Sequence, residues 1–201
     1  IGMLVQGDLL RVVIMSEELM KEAIEMFREG NLKGAVSNLE GKLKSNGDNA
    51  VIHHSYAEFA NMLNMEEQDD VIPGGKIMMH YKKAMELDEE NDEYIADFAS
   101  FALECRRIPV AVKEFQRYAK RLELADIPVD DVLYMAARNI VDCIEVMDPE
   151  KTNPMVQPWL KQALIWSVGG LGYSPEDAIK TFYTSGIDIL ALNNYIITKE
   201  K

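Results

Sequence analysis

Cysteine is scarce in this sequence, and long hydrophobic runs are absent. Cys105 and Cys143 are the only two cysteines, too few for a disulfide framework and without metal-ligand spacing, so we interpret them as small core residues in a reducing compartment. No run approaches the 18 apolar residues that a membrane helix needs. Segment 1–15 is apolar, but Asp8 and Arg11 interrupt it, and it has no basic leader or small-residue cleavage site. These features predict a cytoplasmic protein.

Basic charge is also in deficit. The chain carries 21 Lys and Arg against 34 Asp and Glu, which gives a net charge of -13 and a pI of about 4.7. Nucleic-acid-binding domains usually have a pI above roughly 9 and a basic patch. We therefore expect no nucleic acid or membrane partner, and a basic protein or peptide is the easier one.

Strand signals are few, and apolar residues recur at three- and four-residue steps between Ser16 and Tyr195. Breaks fall at Gly, Pro, Asn and Asp. This pattern predicts an all-α protein with ten helices, at 16–29, 32–45, 50–64, 76–87, 92–106, 109–124, 129–147, 157–168, 175–185 and 187–198.

The helices repeat with a period of 34 residues. Aligning the second helices of two pairs places Ile77 against Ala111 and Tyr81 against Phe115. Ala35 precedes Ile77 by 42 residues, which is one period plus eight, and the polar loop 65–75 can hold that insertion. Three helix pairs are therefore predicted, beginning near Ser16, Ala50 and Asp92.

The repeat has recurring small and bulky positions. Small residues recur in the first helices and at the start of the second helices, and bulky residues follow one turn later: Ala23, Ala57, Ala99, Ala35, Ala111, Leu39, Tyr81 and Phe115. Leu19 and Ile95 are early apolar anchors, and Gly30 ends the first helix. This pattern resembles the tetratricopeptide repeat (TPR), although the usual tryptophan is missing, His53 takes an apolar position and Ile77 a small one.

The resemblance implies a right-handed helical-repeat solenoid of antiparallel helix pairs. Three TPR-like pairs are expected over 16–125, with the insertion at 65–75. Residues 126–201 are expected to form a degenerate fourth pair and C-terminal capping helices. Residues 1–15 form an N-terminal segment whose part 3–14 either covers Met20, Ile24 and Phe27 or leaves them open.

The candidate motifs for catalysis, cofactor binding or metal binding in this sequence are all incomplete. The Gly cluster at 168–173 follows a predicted helix rather than a strand, and 72–77 lacks the remainder of a phosphate loop. His53 and His54 are adjacent on a helix, so they point about 100° apart and cannot share a metal. We expect His53 in the core and His54 on the surface. No nucleophile has a base beside it, so no enzyme activity, cofactor or metal is predicted.

The TPR resemblance also implies a concave groove lined by the first helices of successive pairs. On this sequence the groove would present Met20, Ile24, Phe27, His54, Glu58, Asn61, Glu93, Asp97 and Ser100. Its carboxylates would repel acidic ligands, so we expect no binding to the acidic tails of heat-shock chaperones. A peptide or protein with one apolar anchor and basic residues fits better.

The leading hypothesis is thus a non-catalytic adaptor that binds a protein partner. One alternative is a self-assembling repeat protein that oligomerises through its apolar ends. Another is a small-ligand-binding or enzymatic helical domain that uses His54, Glu58 and the 65–75 loop.

Overall fold

The computed structural model of this 201-residue chain describes residues 18–149, 153–170, 189–192 and 195–198. The chain forms two compact units, Ile1–Tyr94 and Ile95–Lys201. The predicted helix at 175–185 and segment 3–14 lie outside the described residues. The predicted division of the chain at residue 125 stays a prediction.

The described helices pack as sequential antiparallel pairs, which confirms the predicted helical-repeat fold. In chain order they are α1 (18–28), α2 (Leu32–Leu43), α3 (Ala50–Glu67), α4 (Gly74–Leu87), α5 (Asp92–Glu104), α6 (Ile108–Leu124), α7 (Asp131–Met147) and α8 (Gln157–Gly170). No helix among these residues is long and apolar enough to span a membrane.

Short polar side chains cap the N-termini of α2, α3 and α7, among other helices. Asn31 accepts a hydrogen bond from the Gly34 amide (2.9 Å), and Asn49 accepts one from the Ile52 amide (3.1 Å). Asp130 does the same at α7. Each satisfies an amide that lacks a partner in the first turn of its helix, so the sequence places these starts locally.

The helix starts reproduce the predicted period. α3 begins at Ala50 and α5 at Asp92, which are 42 residues apart, while α4 and α6 begin 34 residues apart. Residues at equivalent positions share their burial: Ala57 and Ala99 are fully buried, as are Ile77 and Ala111. The starts of α3 to α6 thus follow a 34-residue period with one offset of eight residues.

The insertion differs from the predicted 65–75 loop because α3 continues to Glu67, and α4 begins at Gly74. The remaining loop is held by the Asn64 side chain, which donates to the Ile72 carbonyl (2.7 Å) and accepts from the Ile72 amide (2.9 Å). Part of the insertion thus becomes an extra helical turn, because residues 65–67 are strong helix formers.

Three helix ends share a Schellman turn, in which one residue adopts positive φ and two amides close onto the last turn. Gly30 follows α1 (φ 78°), Arg106 follows α5 (φ 57°) and Asp126 follows α6 (φ 57°). The amides of Gly30 and Arg106 bond the carbonyls of Phe27 and Leu103, three residues earlier. Only Gly30 was predictable from residue type, since glycine alone takes this conformation without steric cost.

The predicted C-terminal helix at 187–198 is wrong. Ile189–Leu192 (β1) and Tyr195–Thr198 (β2) form an antiparallel hairpin in which Leu192 pairs with Tyr195, and β1 contacts α8. Its isoleucines and Thr198 are β-branched, and Tyr195 is aromatic, so the segment favours strands. In the sequence, two asparagines separate the strands, and asparagine is a residue that two-residue hairpin turns favour.

Candidate partner-binding surface

The solvent-exposed face of α3 is rich in large apolar side chains. Phe59, Met62 and Met65 recur every three residues, and at 100° per residue they lie within one face of the helix. Met62 and Met65 are exposed, Met65 to 63%, and Phe59 is half-buried. The opposite face, with Tyr56, Ala60 and Leu63, forms the core. Three apolar side chains therefore remain on the surface beside a complete core.

Phe27 of α1 extends this surface. Its ring stacks on Phe59 with centroids 5.1 Å apart and planes 19° from parallel, yet Phe27 is 41% exposed. We call Phe27, Phe59, Met62 and Met65 the α3 patch. α1 is in turn fixed to α2, where Lys42 lies 3.2 Å from Glu22 and also donates to the Leu19 carbonyl.

Carboxylates are concentrated on α3 and in the loop that follows it. Glu58 is half-buried, Glu66 and Glu67 lie in the last turn of α3, and Asp69 and Asp70 follow in the loop. α3 contains no Lys or Arg. The surface thus joins an apolar centre to negative charge.

The prediction that His54 lies on the surface is wrong. Its ring is buried, with the Tyr94 ring at 4.5 Å and the Tyr81 ring at 5.7 Å edge-on, and Nδ1 lies 3.6 Å from a Glu58 oxygen. Helical geometry gave its direction correctly, away from His53. Aromatic residues of other segments cover it, and the direction of a side chain does not reveal what packs over it.

The remaining predicted groove residues vary in accessibility. Met20 is buried and Ile24 and Asn61 are half-buried, whereas Glu93 is exposed. Within unit 1 the structure brings Phe27 to Phe59 and His54 to Glu58. In unit 2, Asp97 and Ser100 are half-buried, and the Ser100 hydroxyl donates to the Ala96 carbonyl (2.8 Å). Their role in binding stays a prediction.

A buried histidine pair links α3 to α4, and sequence reasoning missed it. The Nδ1 atoms of His53 and His80 are 2.7 Å apart, and His53 Nε2 lies 3.0 Å from the Gly47 carbonyl. Because a carbonyl only accepts, His53 carries its proton on Nε2, so in the neutral pair its Nδ1 accepts from His80. The one available signal was a polar residue at an apolar repeat position, His53.

The surroundings keep His80 neutral. Burial, the neighbouring His53 and Lys76 lower the pKa of His80 to about 4, and Glu40 opposes them. The Tyr56 ring lies 4.5 Å from the His80 ring. The Lys76 ammonium is 2.6 Å from Glu40, and this hydrogen-bonded ion pair lowers the pKa of Glu40 and raises that of Lys76. These buried contacts make the cluster a structural element of the α3–α4 pair.

Unit 2 carries an open groove of about 690 Å³ between α6, the loop after it and α8. Its apolar lining includes Leu122, Ile127 and Trp166, and Gln116 donates to Gln162 (2.9 Å) across it. No predicted groove residue lines it. Its volume falls in the range of small-molecule pockets, but its polar members are an exposed mixture of both charges.

Comparisons with known proteins give likenesses in structure but none in sequence. No protein-family model matches the sequence, and no curated protein matches it. The fold is similar to a crystal structure of a tetratricopeptide repeat protein from Parabacteroides merdae, with 16% identity over 85% of this chain and a TM-score of 0.48. The chain spans 65% of that protein's chain, less than two thirds of its length.

Proposed function

We propose that this chain is a non-catalytic protein-interaction module, which binds a basic, partly apolar peptide or protein segment on the exposed sides of its first helices. The observation that carries the proposal is the exposed face of α3, where Phe59, Met62 and Met65 stand beside Glu58 and Glu66. An apolar centre within a polar rim is the usual anatomy of a protein-binding surface. Methionine adapts its shape to a partner at little cost.

Charge supports a basic partner. The chain's net charge of -13 attracts cations over the whole surface, and α3 contributes three glutamates and no Lys or Arg. An acidic ligand would meet repulsion on α3, which supports the expectation that acidic chaperone tails do not bind.

The chemistry of the buried polar residues also fits a binding role. His53 and His80 hydrogen-bond to each other, His53 also bonds the Gly47 carbonyl, and His54 packs between tyrosine rings. A general base must reach a substrate proton within hydrogen-bond distance. The hydrogen bonds of His53 and His80 are instead made within the fold.

Selection from a random peptide library displayed on phage tests the proposal with the full chain as bait. We expect enriched peptides that combine an apolar anchor with Lys or Arg, and we expect their binding to fall for Glu58→Lys/Asp97→Lys. The charge-matched variant Glu123→Lys/Asp142→Lys, at two exposed positions of unit 2, serves as the control. A library with no enriched peptide, or enrichment of acidic peptides, contradicts the proposal.

Two further measurements separate the alternatives. A self-assembling protein would show a concentration-dependent mass in sedimentation, and Glu58→Lys/Asp97→Lys would leave that mass unchanged. A ligand-binding or enzymatic domain would show a large upward thermal shift with a metal ion or nucleotide. Either result without peptide enrichment replaces the interaction hypothesis.

A further inference from the structure

We propose that the extra turn at the end of α3 makes the α3 patch a docking site for a basic amphipathic helix. The inference rests on the proposed function and adds a location and a partner class to it. At 18 residues α3 is longer than α2, α4 and α5, which have 12, 14 and 13. The added turn carries Met65, Glu66 and Glu67, and it arises from the insertion that breaks the 34-residue period.

The end of α3 is electrostatically unfavourable by itself. A helix C-terminus carries partial negative charge and favours Lys or Arg, but the last turn of α3 has no basic residue and two glutamates. Asp69 and Asp70 follow immediately. Among the described residues, no Lys or Arg forms an ion pair with any of these four carboxylates. Cationic side chains from a partner would relieve this repulsion.

The carboxylates sit on a rigid support. Gln68 takes a left-handed conformation (φ 52°) and its amide bonds the Asn64 carbonyl. The Asn64 side chain makes two hydrogen bonds to Ile72, as described above, and the Val71 amide bonds the Asp69 carbonyl (2.9 Å). A loop that is already ordered loses little entropy on binding, so the site is preorganised.

The apolar centre suits a helix. Phe59, Met62 and Met65 span about 9 Å along the axis of α3, and Phe27 widens the strip at one end. A helical partner presents apolar side chains at i, i+3, i+4 and i+7 with a similar rise. A strand-like partner needs an unpaired sheet edge, whereas the backbone groups of α3 are paired within the helix. Lysines flanking the partner's apolar strip would then lie over Glu66 and Asp69.

Fluorescence anisotropy with defined peptides tests the site. The probe is a labelled leucine–lysine amphipathic helix of about four turns. A leucine–glutamate peptide with the same apolar pattern and an alanine–lysine peptide with the same charge accompany it. We expect the full chain to bind the leucine–lysine peptide at least about tenfold more tightly than either of the others, because both the apolar and the charged parts of the surface are used.

Two variants test the two parts of the site. Met62→Ser/Met65→Ser and Glu66→Lys/Glu67→Lys should each weaken binding about tenfold or more. Glu123→Lys/Asp142→Lys, with the same charge change at exposed positions of unit 2, should weaken it less than about threefold. Circular dichroism verifies that each variant keeps its helix content. Equal loss in the control, or full binding by the methionine variant, overturns the proposal.

Other occupants of the α3 patch give different results. If residues 1–17 cover it, Leu9→Ser/Leu10→Ser will raise the peptide affinity. If a second copy covers it, sedimentation will show a dimer that Met62→Ser/Met65→Ser dissociates. Either outcome overturns the basic-helix assignment. If library peptides bind all the α3 variants as tightly as the unaltered chain, the proposed interaction function is retained. Only the location of the binding site on α3 is then contradicted.

Discussion

His80 and Glu114 occupy equivalent positions, 34 residues apart, in the second helices of successive pairs, and both are buried polar residues. In unit 1, His80 pairs with His53 across the helix pair at 2.7 Å. In unit 2, the equivalent of His53 is Ile95, which offers no hydrogen bond. Glu114 instead lies 3.6 Å from Lys113 and 3.9 Å from Arg117 on its own helix. The polar partner of His80 thus lies on the facing helix, whereas the ion-pair partners of Glu114 lie on its own helix.

This difference shows what a repeat specifies. The period determines which positions are buried, as the alanines, Tyr81 and Phe115 demonstrate. The polar partners of a buried residue, in contrast, are supplied by its own unit. The histidine pair couples α3 to α4 through a buried hydrogen bond whose loss would leave an imidazole nitrogen without a partner. Glu114 has no comparable partner, so the two positions should respond oppositely to apolar substitution.

The largest effect is expected at the shared aromatic position. Phe115→Ala should lower the free energy of unfolding by roughly 3–5 kcal/mol, because Phe115 is fully buried and meets Trp166 edge-on at 6.0 Å. Phe115→Leu, which retains most of the volume, should cost less than about 1.5 kcal/mol. Urea unfolding measures both. Wild-type stability of Phe115→Ala would contradict the equivalence of Phe115 with Tyr81.

The next effect is the response of unit 1 to acid. Folding lowers the pKa of His80 from 6.5 to about 4, so the unfolded chain binds more protons between these values. The free energy of unfolding should therefore be highest above pH 6.5 and fall as the pH decreases toward 4, by about 3 kcal/mol at most. Denaturant unfolding at a series of pH values measures this slope.

The control for the acid response is His53→Ile/His80→Leu, which gives unit 1 the apolar residue that unit 2 has at position 95. It retains Glu22 and Glu40, whose pKa values are also lowered and whose contributions are lost at lower pH. The slope between pH 6.5 and 4 should shrink in this variant. An unchanged slope would show that His80 is not its source.

Substituting the two equivalent polar residues by methionine sharpens the comparison. His80→Met leaves His53 Nδ1 buried without its donor and should cost about 1–3 kcal/mol. Glu114→Met removes a poorly paired buried carboxylate and should raise the free energy of unfolding by about 1 kcal/mol. Thermal or urea unfolding of both variants at pH 7 gives the signs. If both variants are destabilised equally, the polar interactions of Glu114 stabilise the fold as much as those of His80.

The smallest effect concerns the turns that follow α1 and α5. Gly30 and Arg106 are equivalent, and both have positive φ with the same hydrogen bonds. Arg106→Gly should stabilise unit 2 by about 0.5–1 kcal/mol, since a non-glycine residue pays a steric cost there. Gly30→Ala should destabilise unit 1 by about 1 kcal/mol. Shifts of the urea midpoint measure both, and the same sign for both would contradict the equivalence.

Most of the helical architecture was predictable because it depends on local patterns. The period, the alanines at 23, 57 and 99, and the asparagine caps are visible in sequence. The length of α3 was not predictable, because a polar segment such as Met65–Gln68 forms helix or loop depending on which later residue Asn64 binds. The hairpin at Ile189–Thr198 was missed because its apolar residues fit a helical spacing as well as a strand.

The candidate site was predictable only in part. The sequence placed Phe27 and Glu58 on an exposed side, and it gave the acidic character of the surface. It missed Met65 because the predicted helix ended at residue 64, whereas α3 continues to Glu67. It did not assign Phe59 and Met62 to the exposed side, because apolar residues at helical spacing usually face the core. It also missed the contact of His53 with His80, because residues 27 apart meet only through the tertiary pairing of α3 with α4.

Hydrogen–deuterium exchange of the full chain, with and without a peptide selected from the library, tests most directly that partners bind at the end of α3. Slower exchange should appear in residues 59–70 when the peptide is bound, while α7 and α8 keep their rates. Protection confined to the groove between α6 and α8, or unchanged exchange throughout 59–70 at saturating peptide, would contradict it.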